Sequence, residues 1–88
     1  MVSKKMVFPL KGGLHARPAS EIINYLRNFN SDIKMICEGR SANCKSIISL
    51  LALGVKPNTE IEIVVNGESE VEELNSFTDF LYSLSKEI

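Results

Sequence analysis

The only histidine of the chain, His15, lies two residues before an arginine in the run Gly13-Leu14-His15-Ala16-Arg17-Pro18-Ala19. A neutral imidazole has a nucleophilic nitrogen. Because imidazole is also a good leaving group, a phosphoryl group bound to it is easily passed on. The planar guanidinium of Arg17 can donate two hydrogen bonds to phosphate oxygens. These residues therefore predict a phosphoryl acceptor at His15, with Arg17 neutralising the charge of the phosphate.

A helix that begins near His15 would supply further phosphate ligands. The glycine pair at residues 12–13 ends the preceding strand, and Pro18 fits a first helical turn, where an N–H group has no partner within the helix. The backbone N–H groups of Ala16 and Arg17, at the positive end of this helix, would bind an anion attached to His15. Apolar residues recur along one face of the helix, at Ala19, Ile22, Ile23, Leu26 and Phe29.

Two other interpretations of His15 have to be weighed. A single histidine at a helix start is often an ordinary capping or solvated surface residue. An enzyme that used His15 as a general base would need a second titratable group or a metal in a pocket, and only Arg17 and Glu21 lie near the motif in sequence. The glycines, the arginine and the proline around His15 favour the phosphoryl acceptor over both.

Length and composition predict one domain over residues 1–88 that folds without a metal, a cofactor or a disulfide. The net charge is −1, and the sequence has no basic block and no tryptophan, so nucleic acid is an unfavourable partner. No apolar run approaches the roughly 18 residues of a membrane span, and we find no signal peptide. We therefore expect a cytoplasmic protein without membrane insertion.

Alternating apolar residues predict strands at about residues 2–8, 32–37, 40–44 and 60–65. The pair Glu38-Gly39 reads as a two-residue hairpin turn, which places Cys37 opposite Arg40 and Cys44 opposite Ile33. The two cysteines are then not opposite each other. We expect both to be reduced, packed thiols rather than a disulfide or a zinc site.

Two further helices complete the order β-α-β-β-α-β-α. A short helix should run from Ile47 to about Leu53 and end at Gly54 in a left-handed cap, and the last helix should begin at a capping box of Ser69 and Glu72. This order predicts an α+β open-faced sandwich, with a largely antiparallel sheet covered on one face by helices. The last helix should bury an apolar stripe of Val71, Leu74, Phe77, Leu81 and Leu84.

The sequence resembles the histidine-containing phosphocarrier (HPr) family of the bacterial phosphoenolpyruvate-dependent sugar phosphotransferase system. The resemblance rests on the run around His15 and on Asn43-Cys44-Lys45-Ser46-Ile47-Ile48, which continues to Leu53-Gly54. It implies four antiparallel strands and three helices. It also implies that His15 takes a phosphoryl group from enzyme I and passes it to a sugar-specific enzyme IIA, with no cofactor and no independent turnover.

The short helix is apolar nearly all the way round. We expect Ile47, Ile48 and Leu51, hereafter the docking patch, to be partly exposed beside His15, whereas the alternative is a fully buried helix. The resemblance implies that enzyme I and enzyme IIA bind here and on the first helix. We expect these interfaces to be small and weak, so that each complex can dissociate, and we expect a monomer in solution. The first helix would border the patch with residues at four-residue spacing, namely Ala16, Ser20 and Asn24.

Ser46 should be the N-cap of the short helix. Phosphorylation there would place nearly two negative charges inside the docking patch and impair enzyme I binding. In Gram-positive members, the resemblance implies, HPr kinase/phosphorylase modifies this serine and the product is a corepressor with a catabolite control protein. The second hypothesis is a purely regulatory paralogue acting through Ser46, although such paralogues lack the histidine. Four positions depart from the common pattern of the family, namely Gly12, Ile48, Ser49 and Leu51.

Overall fold

The computed structural model describes residues 1–86 and contains one four-stranded sheet and three helices. Every neighbouring pair of strands is antiparallel, and the strand order is β1-β4-β2-β3. The predicted order of elements and the α+β open-faced sandwich are therefore confirmed. The elements are β1 (Val2–Val7), α1 (Ala16–Leu26), β2 (Asp32–Cys37), β3 (Arg40–Asn43), α2 (Ile47–Leu53), β4 (Glu60–Asn66) and α3 (Glu70–Leu84).

Only one face of the sheet carries the core. In the central strand β4, Ile61, Ile63 and Val65 are buried while Glu60 and Asn66 are exposed, as the alternation of side chains along a strand requires. The helices cover this apolar face, and the largest buried side chains come from helices, strands and the segment after β1 alike. Within residues 1–86, no helix has both the length and the apolar character needed to cross a bilayer.

The hairpin between β2 and β3 has the turn that the sequence predicts. Glu38 and Gly39 both have positive φ, 52° and 78°, which is the conformation of a type I′ turn. Cys37 pairs with Arg40, and the N–H of Cys44 donates to the carbonyl of Ile33 at 2.9 Å, so the predicted register is confirmed. Both cysteines are free and buried, and burial raises the pKa of the Cys44 thiol to about 12.

Two predicted strands extend one residue too far at their C-terminal ends. β1 ends at Val7 rather than residue 8, although the N–H of Phe8 still donates to the carbonyl of Thr59 at 2.8 Å. β3 ends at Asn43 rather than residue 44, where the chain turns toward α2. Strand ends are the part of a periodic pattern that sequence defines least, because turns and strands share the same residues there.

α3 begins where the sequence predicts, but the predicted capping box does not form. Ser69 is the N-cap, but its side chain makes no cap hydrogen bond and Glu72 is exposed. The carboxylate of Glu70 instead accepts a hydrogen bond from the N–H of Gly67 at 3.2 Å. Val71 of the predicted stripe is exposed, and the first buried residue of α3 is Leu74. The other members of the stripe are buried as predicted, namely Leu74, Phe77, Leu81 and Leu84.

Glu73 ties α3 to the loop between α1 and β2. Its two carboxylate oxygens accept hydrogen bonds from the N–H groups of Asn30 at 3.2 Å and Ser31 at 3.1 Å. Burial alone would raise the pKa of Glu73, but the hydrogen bonds from Ser31 and Asn30 and the positive charge of Lys45 outweigh it and hold the pKa below its usual value. The ionised carboxylate therefore stabilises the fold.

We expect Glu73→Gln to lower the free energy of unfolding at pH 7 by about 1–2 kcal/mol, because charge-assisted hydrogen bonds are lost. Because the pKa of Glu73 is lowered on folding, its contribution is complete above the unfolded-state pKa and disappears as pH falls through the folded-state pKa. Urea unfolding at pH 7 and pH 3 measures this, with the exposed Glu72→Gln as the control. A gap between the two variants that persists unchanged at pH 3 would contradict the assignment.

Candidate functional site

The loop that precedes α1 is fixed by backbone hydrogen bonds. The N–H of Gly13 donates to the carbonyl of Leu10 at 3.1 Å, and the N–H of Leu14 donates to the carbonyl of Val55 at 2.8 Å. The side chains of Leu10 and Leu14 are buried, so both ends of the loop are anchored in the core. Because Val55 follows α2 in the chain, the loop and the segment after α2 hold each other in place.

Gly13 is the residue at which this close approach requires glycine. Its φ is 73°, in the left-handed region that side chains disfavour. A Cβ on Gly13 would lie 2.7 Å from the carbonyl oxygen of Val55 and 3.2 Å from Cδ of Pro57. Residues with a side chain therefore cannot occupy this position without moving the loop away from Val55.

α1 begins next to His15, as the sequence predicts, and His15 itself occupies the N-cap. Its backbone is extended, with φ −120° and ψ −171°, and its carbonyl accepts the first helical hydrogen bond from the N–H of Ala19 at 3.0 Å. The imidazole makes no cap hydrogen bond, and the residue is exposed. The N–H groups of Ala16 and Arg17, which have no acceptor within the helix, therefore remain available to an anion at the helix end.

The electrostatics of this helix end favour a phosphate. Arg17 is exposed, and its guanidinium forms no hydrogen bond or salt bridge with residues 1–86. The first turn of α1 contains no acidic residue that could occupy the guanidinium or repel an anion. The fixed charges next to His15 are thus the guanidinium and the positive end of the helix, and both stabilise negative charge.

The second predicted site residue, Ser46, is the N-cap of α2. Its Oγ accepts a hydrogen bond from the N–H of Ser49 at 3.3 Å, which confirms the predicted cap. Gly54 ends the helix with φ 60° and ψ 45°, which confirms the left-handed cap. Ser46 is partly buried, and the hydroxyl of Ser49 in turn accepts from the N–H of Asn43 at 2.9 Å.

Arg40 holds the other end of α2 and was not recognised from the sequence. Its guanidinium donates to the carbonyl of Leu53 at 2.8 Å and to that of Ala52 at 3.5 Å. These carbonyls are the unpaired acceptors of a helix C-terminus, where a cation is also favoured. No local signal connects a hairpin residue with a helix end 12 residues later, because only the packing of α2 against β3 brings them together.

The docking patch is exposed as predicted. The exposed fractions of Ile47, Ile48 and Leu51 are 38%, 78% and 41%, whereas Leu50 and Leu53 on the other side of α2 are buried. A fully buried helix is therefore excluded. α1 packs against α2 and carries the remaining predicted contact residues, all of them exposed, namely Ala16, Ser20 and Asn24.

The combination of His15, Arg17 and an exposed apolar helix agrees with the comparison with known families. The model described as the PTS HPr component phosphorylation site matches residues 2–83. The chain belongs to the HPr family. HPr proteins are phosphocarriers of the sugar phosphotransferase system rather than catalytic enzymes.

Relatives in the HPr family match nearly the whole chain. The HPr-like protein Crh of Bacillus subtilis (strain 168) is 36% identical over 81 residues, which are 92% of this chain and 95% of Crh. An HPr from Thermoanaerobacter tengcongensis has a TM-score of 0.89 at 28% identity, over 98% of this chain and 97% of that one. The crystal structure of Crh, a dimer with a swapped domain, has a TM-score of 0.75 at 35% identity, over 94% and 95%.

We expect Gly13→Ala to lower the free energy of unfolding by about 2–3 kcal/mol, because it combines a positive φ with a collision against the carbonyl of Val55. Gly39→Ala is the matched control, since its φ is also positive but a Cβ there meets no atom within 4 Å. It should cost only the strain, about 1 kcal/mol. Urea unfolding of both variants measures the difference, and equal losses would show that the contact with Val55 does not matter.

Proposed function

We propose that this HPr-family chain is a cytoplasmic carrier that takes a phosphoryl group onto His15 from phospho-enzyme I and delivers it to sugar-specific enzyme IIA domains. The observation that carries the proposal is the exposed imidazole at the N-terminus of α1. Arg17 lies next to it and has no hydrogen bond or salt bridge within residues 1–86, and the first turn has no acidic residue. An acceptor that must be reached by two different proteins has to lie on the surface.

The transfer is a displacement at phosphorus. The lone pair of a His15 ring nitrogen forms the new bond, the bond between phosphorus and the donor group of enzyme I breaks, and its electron pair stays with the donor. Charge on the phosphoryl oxygens is stabilised by the N–H groups of Ala16 and Arg17 and by the Arg17 guanidinium. Delivery to enzyme IIA repeats the same displacement with imidazole as the leaving group.

Partner binding is assigned to the docking patch with Ala16, Ser20 and Asn24. The exposed apolar side chains of α2 and the contact between α1 and α2 support this assignment. A small interface of this kind suits complexes that must dissociate after each transfer. Crh and an HPr from Thermoanaerobacter tengcongensis have dimeric structures, so a monomeric state of this chain stays a prediction.

We further propose that Ser46 is a regulatory phosphorylation site. HPr kinase/phosphorylase would modify it, and a catabolite control protein would bind the phosphorylated form. The serine caps a helix whose exposed residues form the docking patch, so a phosphate there would lie at the helix N-terminus and in the partner surface. The similarity to Crh, a catabolite repression protein, supports this role.

The same similarity supports a second candidate, in which the chain is purely regulatory and acts only through Ser46. The two candidate functions differ in their need for His15, because only the carrier requires a phosphoryl acceptor at this position. The presence of His15 at an unobstructed helix end favours the carrier.

Incubation with phosphoenolpyruvate and enzyme I of the same organism should add one acid-labile phosphoryl group to the wild type and none to His15→Ala. Intact mass before and after brief acid treatment measures this. Arg17→Ala should retain the modification but acquire it about 10-fold to 100-fold more slowly, because one or two charge-assisted hydrogen bonds to the phosphate are lost. Glu21→Ala on the same helix serves as the surface control.

Absence of any gain in mass in the wild type would reject the carrier. If Ser46 is then phosphorylated by HPr kinase/phosphorylase, the regulatory function replaces it. A gain that survives in His15→Ala would reject His15 as the acceptor.

Ser46→Asp should raise the KM for phosphorylation by enzyme I at least about tenfold with a smaller change in kcat, because an unpaired carboxylate is desolvated in the docking patch. Ser41→Asp adds the same charge to an exposed position of β3 and should leave the KM unchanged. Steady-state kinetics with enzyme I measures both variants. An equal KM increase in both would indicate a general charge effect and contradict the assigned docking patch.

A further inference from the structure

The imidazole of His15 lies against a residue without a side chain. A Cβ placed on Gly12 would be 3.1 Å from Nε2 and 3.3 Å from Cδ2 of His15. The Cδ2–Nε2 edge of the ring therefore occupies the space that a side chain at residue 12 would need. At these distances a Cβ would push the ring away by a few tenths of an ångström.

The backbone does not require glycine at residue 12. Positive φ is found among the glycines only at Gly13, Gly39 and Gly54, and Gly12 is exposed. An alanine there would not need a positive φ, in contrast to one at the neighbouring Gly13. What distinguishes Gly12 is therefore the contact with the imidazole and not the fold of the loop.

We propose that Gly12 is a positioning residue for phosphoryl transfer, because the missing side chain lets the His15 ring lie on the loop with its Cδ2–Nε2 edge inward. This inference rests on the proposed function. In the transfer, Nδ1, on the opposite edge, forms the bond to phosphorus, Nε2 keeps its proton, and the electron pair of the broken bond stays with the donor. The ring position then fixes where the phosphoryl group meets its ligands.

A small displacement of the ring matters because those ligands cannot follow it. The N–H groups of Ala16 and Arg17 belong to the first turn of α1, which is held by the hydrogen bond from Ala19 to His15 and by buried Pro18. Misplacement of a reacting group by about 1 Å can cost about 100-fold in rate, so a few tenths of an ångström correspond to about threefold to tenfold.

The test compares Gly12→Ala with Gly39→Ala. We expect Gly12→Ala to keep a Tm within about 3 °C of the wild type, to be phosphorylated about threefold to tenfold more slowly, and to change the NMR signals of the His15 ring. Gly39→Ala carries a positive φ but no contact, so it should lower the Tm and leave the rate and the ring signals unchanged.

Identical rates and ring signals in Gly12→Ala and wild type would overturn the proposal. A slower rate with unchanged ring signals would overturn it as well, because the effect would then not act through the imidazole. The ring signals are measured on the protein alone, so they report the position of His15 even if enzyme I fails to phosphorylate the wild type. Failure of the carrier function is thereby separated from failure of the positioning role.

Discussion

The hydrogen bond from the N–H of Leu14 to the carbonyl of Val55 is the contact on which the candidate site depends. It joins the loop before α1 to the segment after α2, and His15 is the residue that follows the buried Leu14 in the chain. Gly13 permits this contact because a side chain there would collide with the same carbonyl. The exposed imidazole is thus carried by a loop whose backbone is fixed, which is what a nucleophile on a protein surface needs to meet a partner in one orientation.

The second helix combines a fixed backbone with an exposed apolar surface. Ser46 caps its first turn, Gly54 ends it, and the Arg40 guanidinium binds its last carbonyls. A helix of 7 residues is too short to be stable alone, so these contacts and the buried Leu50 and Leu53 have to hold it. Exposed apolar side chains on such a helix are available to a partner protein without loss of the fold.

Predictions from periodicity and turn chemistry succeeded where the signal was local. The Glu38-Gly39 turn, the Gly54 cap, the helix start near His15 and the N-cap position of Ser46 are each determined by a few adjacent residues. The capping box of Ser69 and Glu72 failed, although it also looked local. The acidic side chains of this turn have better partners elsewhere, since Glu70 reaches back to Gly67 and Glu73 binds the N–H groups of Asn30 and Ser31. The partners of Glu73 come from another part of the chain and cannot be read from the sequence around Ser69, whereas Gly67 lies close to it in sequence.

The sequence by itself determined the order of elements, the open-faced sandwich and the helix start near His15 with Arg17 in its first turn, because these follow from short-range periods and spacings. Only the tertiary structure decided the contact of Leu14 with Val55, the binding of Arg40 to the end of α2, and the position of the imidazole over Gly12. Each of these joins groups through the path of a folded loop or the packing of one element on another. Such contacts depend on distances of a few tenths of an ångström, which no pattern of residue types specifies.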